Sequence, residues 1–238
     1  MESHLSPLHN NAIVCLFMIL SFKLCIELAC WTRLRLNRGI SRPLLHILLS
    51  SGVIFWPYFD ESDWSWRLNA LVPAVVGVRM IYKGGIVRDP VDADVANMSL
   101  SNSPGDLLFG ASFLPLVMCY LGIYQFLKPE CAIVPAAFLG DSLAPLIGSR
   151  YGRHLFQMPF GQSKTMEGSI VGVFLGTIMG CYFYSYMMGM QLLPLRMILA
   201  YSAIAAVAEA TSPANMDNLA VPIVLLFSAE WVQLLIPA

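Results

Sequence analysis

Asp141 stands inside the apolar stretch "FLGDSLAPLIGSRYGR", residues 138–153, ahead of Arg150 and Arg153. An ionised carboxylate in hydrocarbon costs roughly 3 kcal/mol or more unless it meets water, a cation or a partner charge. Asp141 is therefore read as a functional residue; the plain alternative is a helix-end carboxylate that pairs with Arg150 or Arg153. Downstream, Gly148, Gly152, Gly161 and Gly168 interleave with Arg150, Arg153 and Lys164. Glycine lets backbone approach a ligand closely, while arginine and lysine neutralise phosphate oxygens. An acid to hold a divalent cation, beside cations and glycines to hold phosphates, is the minimum set for phosphoryl or nucleotidyl transfer.

The continuation "QSKTMEGSIVG", residues 162–172, puts Lys164 and Thr165 just before Glu167, Gly168 and Ser169. A helix beginning there aims free backbone N–H groups and the positive end of its dipole at an anion. Capping by Ser163 or Thr165 is the other reading, and the two are compatible. The chain has no Walker loop, no GxGxxG, no GxSxG and no internal repeat. Cys15, Cys25, Cys30, Cys119, Cys131 and Cys181 form no CxxC pair, and His4, His9, His46 and His154 share no ligand spacing. The cysteines are expected to pack as small hydrophobes, and zinc is not expected.

The elements that must position these residues are membrane helices. Hydrophobic residues make up 57% of the 238, charged residues only 12%, and the mean hydropathy is +0.66, beyond the range of a soluble domain. The expected fold is an all-α, polytopic membrane bundle of about six to eight transmembrane helices, forming a single integral membrane domain over residues 1–238. Candidate spans run 11–31, 44–59, 68–82, 107–127, 131–148, 168–190, 192–208 and 219–236. Two are short and carry Pro57 and Pro73, so a re-entrant or tilted segment is open there. The first run lacks a basic start and is interrupted by Lys23 and Glu27, so it is read as a retained helix rather than a signal peptide, and no organelle transit peptide is seen. With eight spans, one set of loops holds Arg33, Arg35, Arg38, Arg42, Lys83, Arg88, Arg150, Arg153 and Lys164, against Arg67, Lys128 and Arg196 in the other. The first set is expected to face the cytoplasm or its equivalent, where nucleotides are found. Arg33, Arg35 and Arg38 would set topology and touch lipid headgroups.

"GDSLAPLIGSRYGR" followed by "KTMEGS" resembles the signature of the CTP-dependent polyprenol kinases, the family of phytol, farnesol and dolichol kinases. More distantly it is similar to the phosphatidate cytidylyltransferases. "AEATSPANMDNLAVPI", residues 208–223, resembles a further kinase segment and carries Glu209, Asp217, Asn218 and Pro222 into matching positions. "LVPAVVGVRMIYKGGIVRDPVDADVANMS", residues 71–99, matches at Arg79 and Met80, and "RPLLHI", residues 42–47, answers to R-K-L-V-H-I. The likeness runs from about residue 42 to 226.

This resemblance implies transfer of a phosphoryl group from CTP, or another nucleoside triphosphate, to an isoprenoid alcohol such as phytol, farnesol, geranylgeraniol or dolichol. It implies that Asp141, with Glu209 or Asp217, binds a Mg2+ bridging the phosphates. Lys164, Arg150 and Arg153 would stabilise the triphosphate, framed by Gly140, Gly148, Gly152, Thr165, Gly168, Ser169 and Asn218. Asp217 or Glu209 would orient the acceptor hydroxyl, and the acceptor chain would lie between the spans 168–190 and 219–236. Membrane lipids are the expected surroundings, and nucleic acid is not an expected partner.

Three positions depart from the family pattern. Pro145 stands where phytol kinases usually have a second acid, Pro43 replaces a lysine, and a single Asp217 stands where two acids are common. Cytidylyl transfer to phosphatidate and CTP-dependent phosphorylation of diacylglycerol are the alternatives within enzymes. A transporter or scaffold, with Asp141 and Arg79 lining a pathway, is the alternative outside them. His46 would touch phosphate or bridge two helices, and Arg79 would act in the site or pair with a core acid. Asp89, Asp92 and Asp94 would bind a cation or remain solvated loop charge. The endoplasmic reticulum membrane is favoured, with a plastid envelope as the other location.

Overall fold

A computed structural model describes residues 6–35, 38–99, 101, 103–157, 163–213 and 215–236. Gly161 and His4 lie outside the described residues. The chain begins with α1 (Pro7–Arg35) and α2 (Arg38–Ser50), which continues as a 3-10 run over Ser51–Tyr58. A second 3-10 run, Trp64–Ala70, is capped by Asp63 and leads into α3 (Leu71–Tyr82), whose end widens into a π turn over Lys83–Val87. Short α4 (Ala93–Met98) and α5 (Pro104–Asp106) follow, and a π turn over Leu107–Ala111 leads into α6 (Phe113–Tyr124). After α7 (Glu130–Tyr151), strands β1 (Leu155–Gln157) and β2 (Ser163–Thr165) pair antiparallel, with Phe156 opposite Lys164. A π segment, Gly168–Leu175, then runs into α8 (Gly176–Met187), and α9 (Leu195–Thr211) and α10 (Asp217–Leu235) complete the chain.

Seven helical stretches among the described residues are long and apolar enough to cross a membrane. Because a bilayer core leaves no backbone polar group unsatisfied without cost, continuous helices of this length are the solution expected there. The protein is a multi-pass membrane protein. Leu16, Phe17, Leu24, Ile86, Phe227 and Leu235 are among the large apolar side chains left on its outside, where acyl chains would cover them. α9 is shorter than the seven, yet it brings the chain back to the end of the bundle where Glu209 and Asp217 meet. The two prolines that left a re-entrant segment open have a simpler place: Pro57 sits in the 3-10 run after α2, and Pro73 lies in the first turn of α3, where a missing N–H costs little.

Close packing concentrates between α7 and the stretch 168–187. Gly168, Gly172, Gly176 and Gly180 recur every four residues and face Ala144, Gly140 and Ala136, themselves four apart on α7. A Cβ on Gly176 would lie 2.8 Å from the Gly140 Cα, one on Gly180 2.7 Å from the Ala136 Cα, and one on Gly172 would meet the Ala144 backbone. Backbone therefore touches backbone, the geometry small residues permit between membrane helices. Elsewhere the core is aromatic: Trp66 stacks 4.8 Å from Phe126, and the buried Tyr184 hydroxyl meets Ser51 Oγ at 2.9 Å.

Candidate active site

A cavity of about 620 Å3 opens at one end of the bundle. It is lined from α2 by Arg42, Pro43 and His46, from α4 by Ala96 and Asn97, and from α7 by Asp141, Ser142, Ala144, Pro145, Gly148 and Ser149. The hairpin contributes Ser163, Lys164 and Thr165, the following segment Gly168 and Ser169, and the ends of α9 and α10 Glu209 and Asp217. Segments far apart in sequence thus place Asp141, Lys164, Glu209 and Asp217 around one space. Among the described residues, three acids, Asp141, Glu209 and Asp217, share the cavity with two basic side chains, Arg42 and Lys164. That balance favours a divalent cation arriving with a polyanion over the polyanion alone.

Lys164 is held firmly. Its Nζ donates to Glu209 Oε1 at 2.7 Å and to the Glu209 carbonyl, and both side chains are largely buried. Ser169 Oγ donates to Glu209 Oε2 at 3.3 Å, and Ser212 Oγ to the Glu209 carbonyl at 2.8 Å. The hairpin is thereby tied to the end of α9. Asp141, by contrast, makes no hydrogen bond or ion pair among the described residues. Pro145, four residues on, has no N–H to give the Asp141 carbonyl. An acid left this way facing a polar cavity is available to an incoming ligand.

Thr165 and Glu167 have structural duties. Thr165 Oγ1 accepts from the Gly168 N–H at 3.1 Å, capping the segment that leads into α8. Gly148 leaves room for that hydroxyl, since a Cβ there would lie 2.5 Å from it. Glu167 accepts from the backbone N–H groups of Arg153 and His154 at 3.1 and 3.3 Å and meets His154 Nδ1 at 2.7 Å. The His154 hydrogen bond, with those N–H groups, holds the Glu167 carboxyl down at about 2. It closes the base of the hairpin and does not line the cavity.

Several residues expected in the site stand elsewhere. Arg150 and Arg153 are exposed and absent from the cavity wall, Arg150 lying 5.7 Å over the Tyr151 ring. Gly152 is exposed at the end of α7, and Gly140 is buried against Val173 and Thr177, where it permits helix contact rather than ligand approach. Asn218 lies beneath the cavity, its Nδ2 donating to the Gly110 carbonyl at 3.3 Å and lying 3.5 Å from His46 Nε2. Of the loop acids, Asp92 and Asp94 are engaged by protein cations, while Asp89 Oδ1 accepts from the Val91 N–H at 2.9 Å. Asp94 is 2.8 Å from Arg79 and 2.7 Å from Lys83, and Asp92 is 2.7 Å from Lys83, so these pairs dock α4 onto the end of α3. Burial would raise the Asp92 carboxyl, but hydrogen bonds from Lys83 and the Asp94 N–H outweigh it and keep the group below its usual range.

No family model matches the chain. Over 207 residues it is 25% identical to phytol kinase 1, chloroplastic, of Arabidopsis thaliana, covering 82% of this chain and 66% of that one, just under two thirds. Over 188 residues it is 36% identical to the phytol kinase of Synechocystis sp., covering 77% of this chain and 75% of that protein. The chain belongs to the phytol kinase family. The named members of the family are kinases of phytol, an isoprenoid alcohol.

Within this member, sequence reasoning passed over Arg42 as the second cavity cation and the α4 wall with Asn97. Arg42 makes no ion pair or hydrogen bond among the described residues. A signal was present: Arg42 and His46 stand four apart on α2, the spacing that puts two side chains on one helical face.

Proposed function

We propose that the chain transfers the terminal phosphoryl group of a nucleoside triphosphate, with CTP as the donor, to the hydroxyl of an isoprenoid alcohol. The observation that carries this reading is the meeting of Asp141, Asp217, Lys164 and Arg42 on one cavity, in a chain of the phytol kinase family. Lys164 and Arg42 bind the phosphate oxygens and stabilise charge that develops on the transferred group. The hydroxyl oxygen forms a bond to the terminal phosphorus, the bond to the bridging oxygen breaks, and the nucleoside diphosphate leaves. Glu209 is engaged by Lys164 and Ser169, so Asp217 is the carboxylate that takes the hydroxyl proton.

Among the described residues no group of three or more His, Cys, Asp or Glu is assembled as a metal site. Mg2+ takes one or two carboxylates and fills its shell with phosphate oxygens and water. Asp141 and Asp217 would hold it, and when bound it supplies charge neutralisation between the phosphates. Residues 1–238 would act as a single membrane domain. The plastid name of one relative supports a plastid membrane, and nothing in the comparisons supports the endoplasmic reticulum membrane.

The test is incubation of purified protein in micelles with Mg2+ and gamma-labelled CTP, alongside phytol, farnesol, geranylgeraniol, dolichol and diacylglycerol in turn. Label entering one isoprenoid supports the reading and names the acceptor. Label in diacylglycerol alone, or pyrophosphate released when phosphatidate is supplied, would replace it with one of the two enzyme alternatives.

A further inference from the structure

Arg42 and His46 border two spaces at once. On one side lies the charged cavity. On the other is a crevice walled by Leu45, Leu49, Val76, Met80, Met98 and Leu114, drawn from α2, α3, α4 and α6. Among the described residues, its walls carry no ionisable group beyond Arg42 and His46. An apolar space that shares a polar seam with a charged cavity has the division of an amphiphile, with chain on one side and headgroup on the other.

Resting on the proposed kinase function, we propose that this crevice takes the chain of the isoprenoid alcohol and that the Arg42–His46 seam is where its hydroxyl meets the phosphates. A second, independent observation lies at the seam. Asn97 lines the cavity and Met98 the crevice, so the border between the two spaces falls between neighbouring residues of α4. Asn97 is 5% exposed; its Nδ2 donates to Cys30 Sγ at 2.9 Å, and its Oδ1 is buried with no partner among the described residues. A buried acceptor without a donor is uncommon and calls for one. The O–H of an alcohol resting at the seam supplies it, and in the reacting complex that same O–H turns to Asp217.

This route differs from the one expected between the spans 168–190 and 219–236. Among the described residues, the cavity wall takes only Gly168 and Ser169 from those spans, with Asp217 just before the second, so no apolar side chain of either lines the cavity. The crevice holds only about 10 Å3, so an occupant must part its walls. Met80 and Met98, unbranched and with several rotatable bonds, are the side chains best suited to move aside.

Photolabelling the full chain in micelles with a phytol analogue that bears a diazirine on its chain tests the route without requiring turnover. The expected labels fall on Leu49, Val76, Met80 and Leu114 and fade with excess unlabelled phytol. Labels confined to α8 or α10, or labels that excess phytol does not reduce, would overturn the proposal. Val76→Phe, at the half-buried wall, supplies a kinetic reading: KM for phytol rises roughly tenfold while KM for CTP stays within about twofold. An equal rise in both KM values would overturn it. A crevice that labels as expected in a protein with no kinase turnover would count against the proposed function alone. Turnover with labels on α8 or α10 would count against the crevice alone.

Discussion

The two halves of α7 behave differently. Every residue from Cys131 to Phe138 is buried, whereas the half from Asp141 to Tyr151 opens first onto the cavity and then to solvent. The first half is fixed by contact on all sides, including Ala136 against Gly180. The second packs through Ala144 against Gly172 and Gly148 against Thr165, while its Asp141 face lines the cavity. A tightly packed half thus supplies rigidity, and the open half carries the groups that do chemistry. The glycines every four residues are what let both halves stay in register.

Removing Lys164 is expected to disturb the open half most. Lys164→Met leaves the Glu209 carboxylate buried without its cation, which costs about 3–5 kcal/mol when such a pair is broken. Hydrogen exchange should rise across 163–169 and the end of α9 while the amides of Cys131–Phe138 keep their protection. Equal protection in both regions would show that the clamp is dispensable.

Gly172→Leu should damage both halves together. Its side chain would be forced into the Ala144 backbone, and overpacking of this kind costs roughly 1–3 kcal/mol. A lowered unfolding midpoint in micelles is the expected readout, against no clear change for Val171→Leu on the exposed neighbouring face. A smaller effect comes from acid. The Glu167 carboxyl is held at about 2 from an ordinary value of 4.5, so its stabilisation of the hairpin is complete above the ordinary value and lost as pH falls towards 2. Protease nicking in the hairpin should therefore increase over that window, and a flat profile would separate Glu167 from hairpin order. The smallest effect belongs to Arg150→Ala, exposed and away from the cavity, which should change kcat/KM by no more than about twofold.

Much of this arrangement is legible in the amino-acid sequence. The cost of a carboxylate in hydrocarbon singled out Asp141, the cations and glycines after it brought in Lys164, and the resemblance to the polyprenol kinases brought in Glu209 and Asp217. Helical periodicity also held information about the arginines. Cavity residues of α7 fall at 141, 142, 144, 145, 148 and 149, one face of a helix, and Arg150, nine residues after Asp141, falls opposite. The glycines were harder to interpret. Gly140 and Gly148 are alike in type and lie on the same helix, but one meets the α8 side and the other Thr165 beside the cavity, and only the partner helix decides which. The spacing of Arg42 and His46 marks one face of α2 without saying what it faces, and Asn97 comes to the cavity through contacts with segments far along the chain, which no local pattern announces.

The measurement that bears most directly on the role of the open half is turnover of Asp141→Asn beside wild type, with an unfolding midpoint taken on the same samples. The substituted amide keeps the shape of the side chain and loses its charge. An unchanged midpoint is therefore expected, with phosphoryl transfer reduced on the order of 100-fold. Turnover near wild type in a correctly folded sample would contradict a metal-holding Asp141, and would move the reacting centre away from the open half of α7.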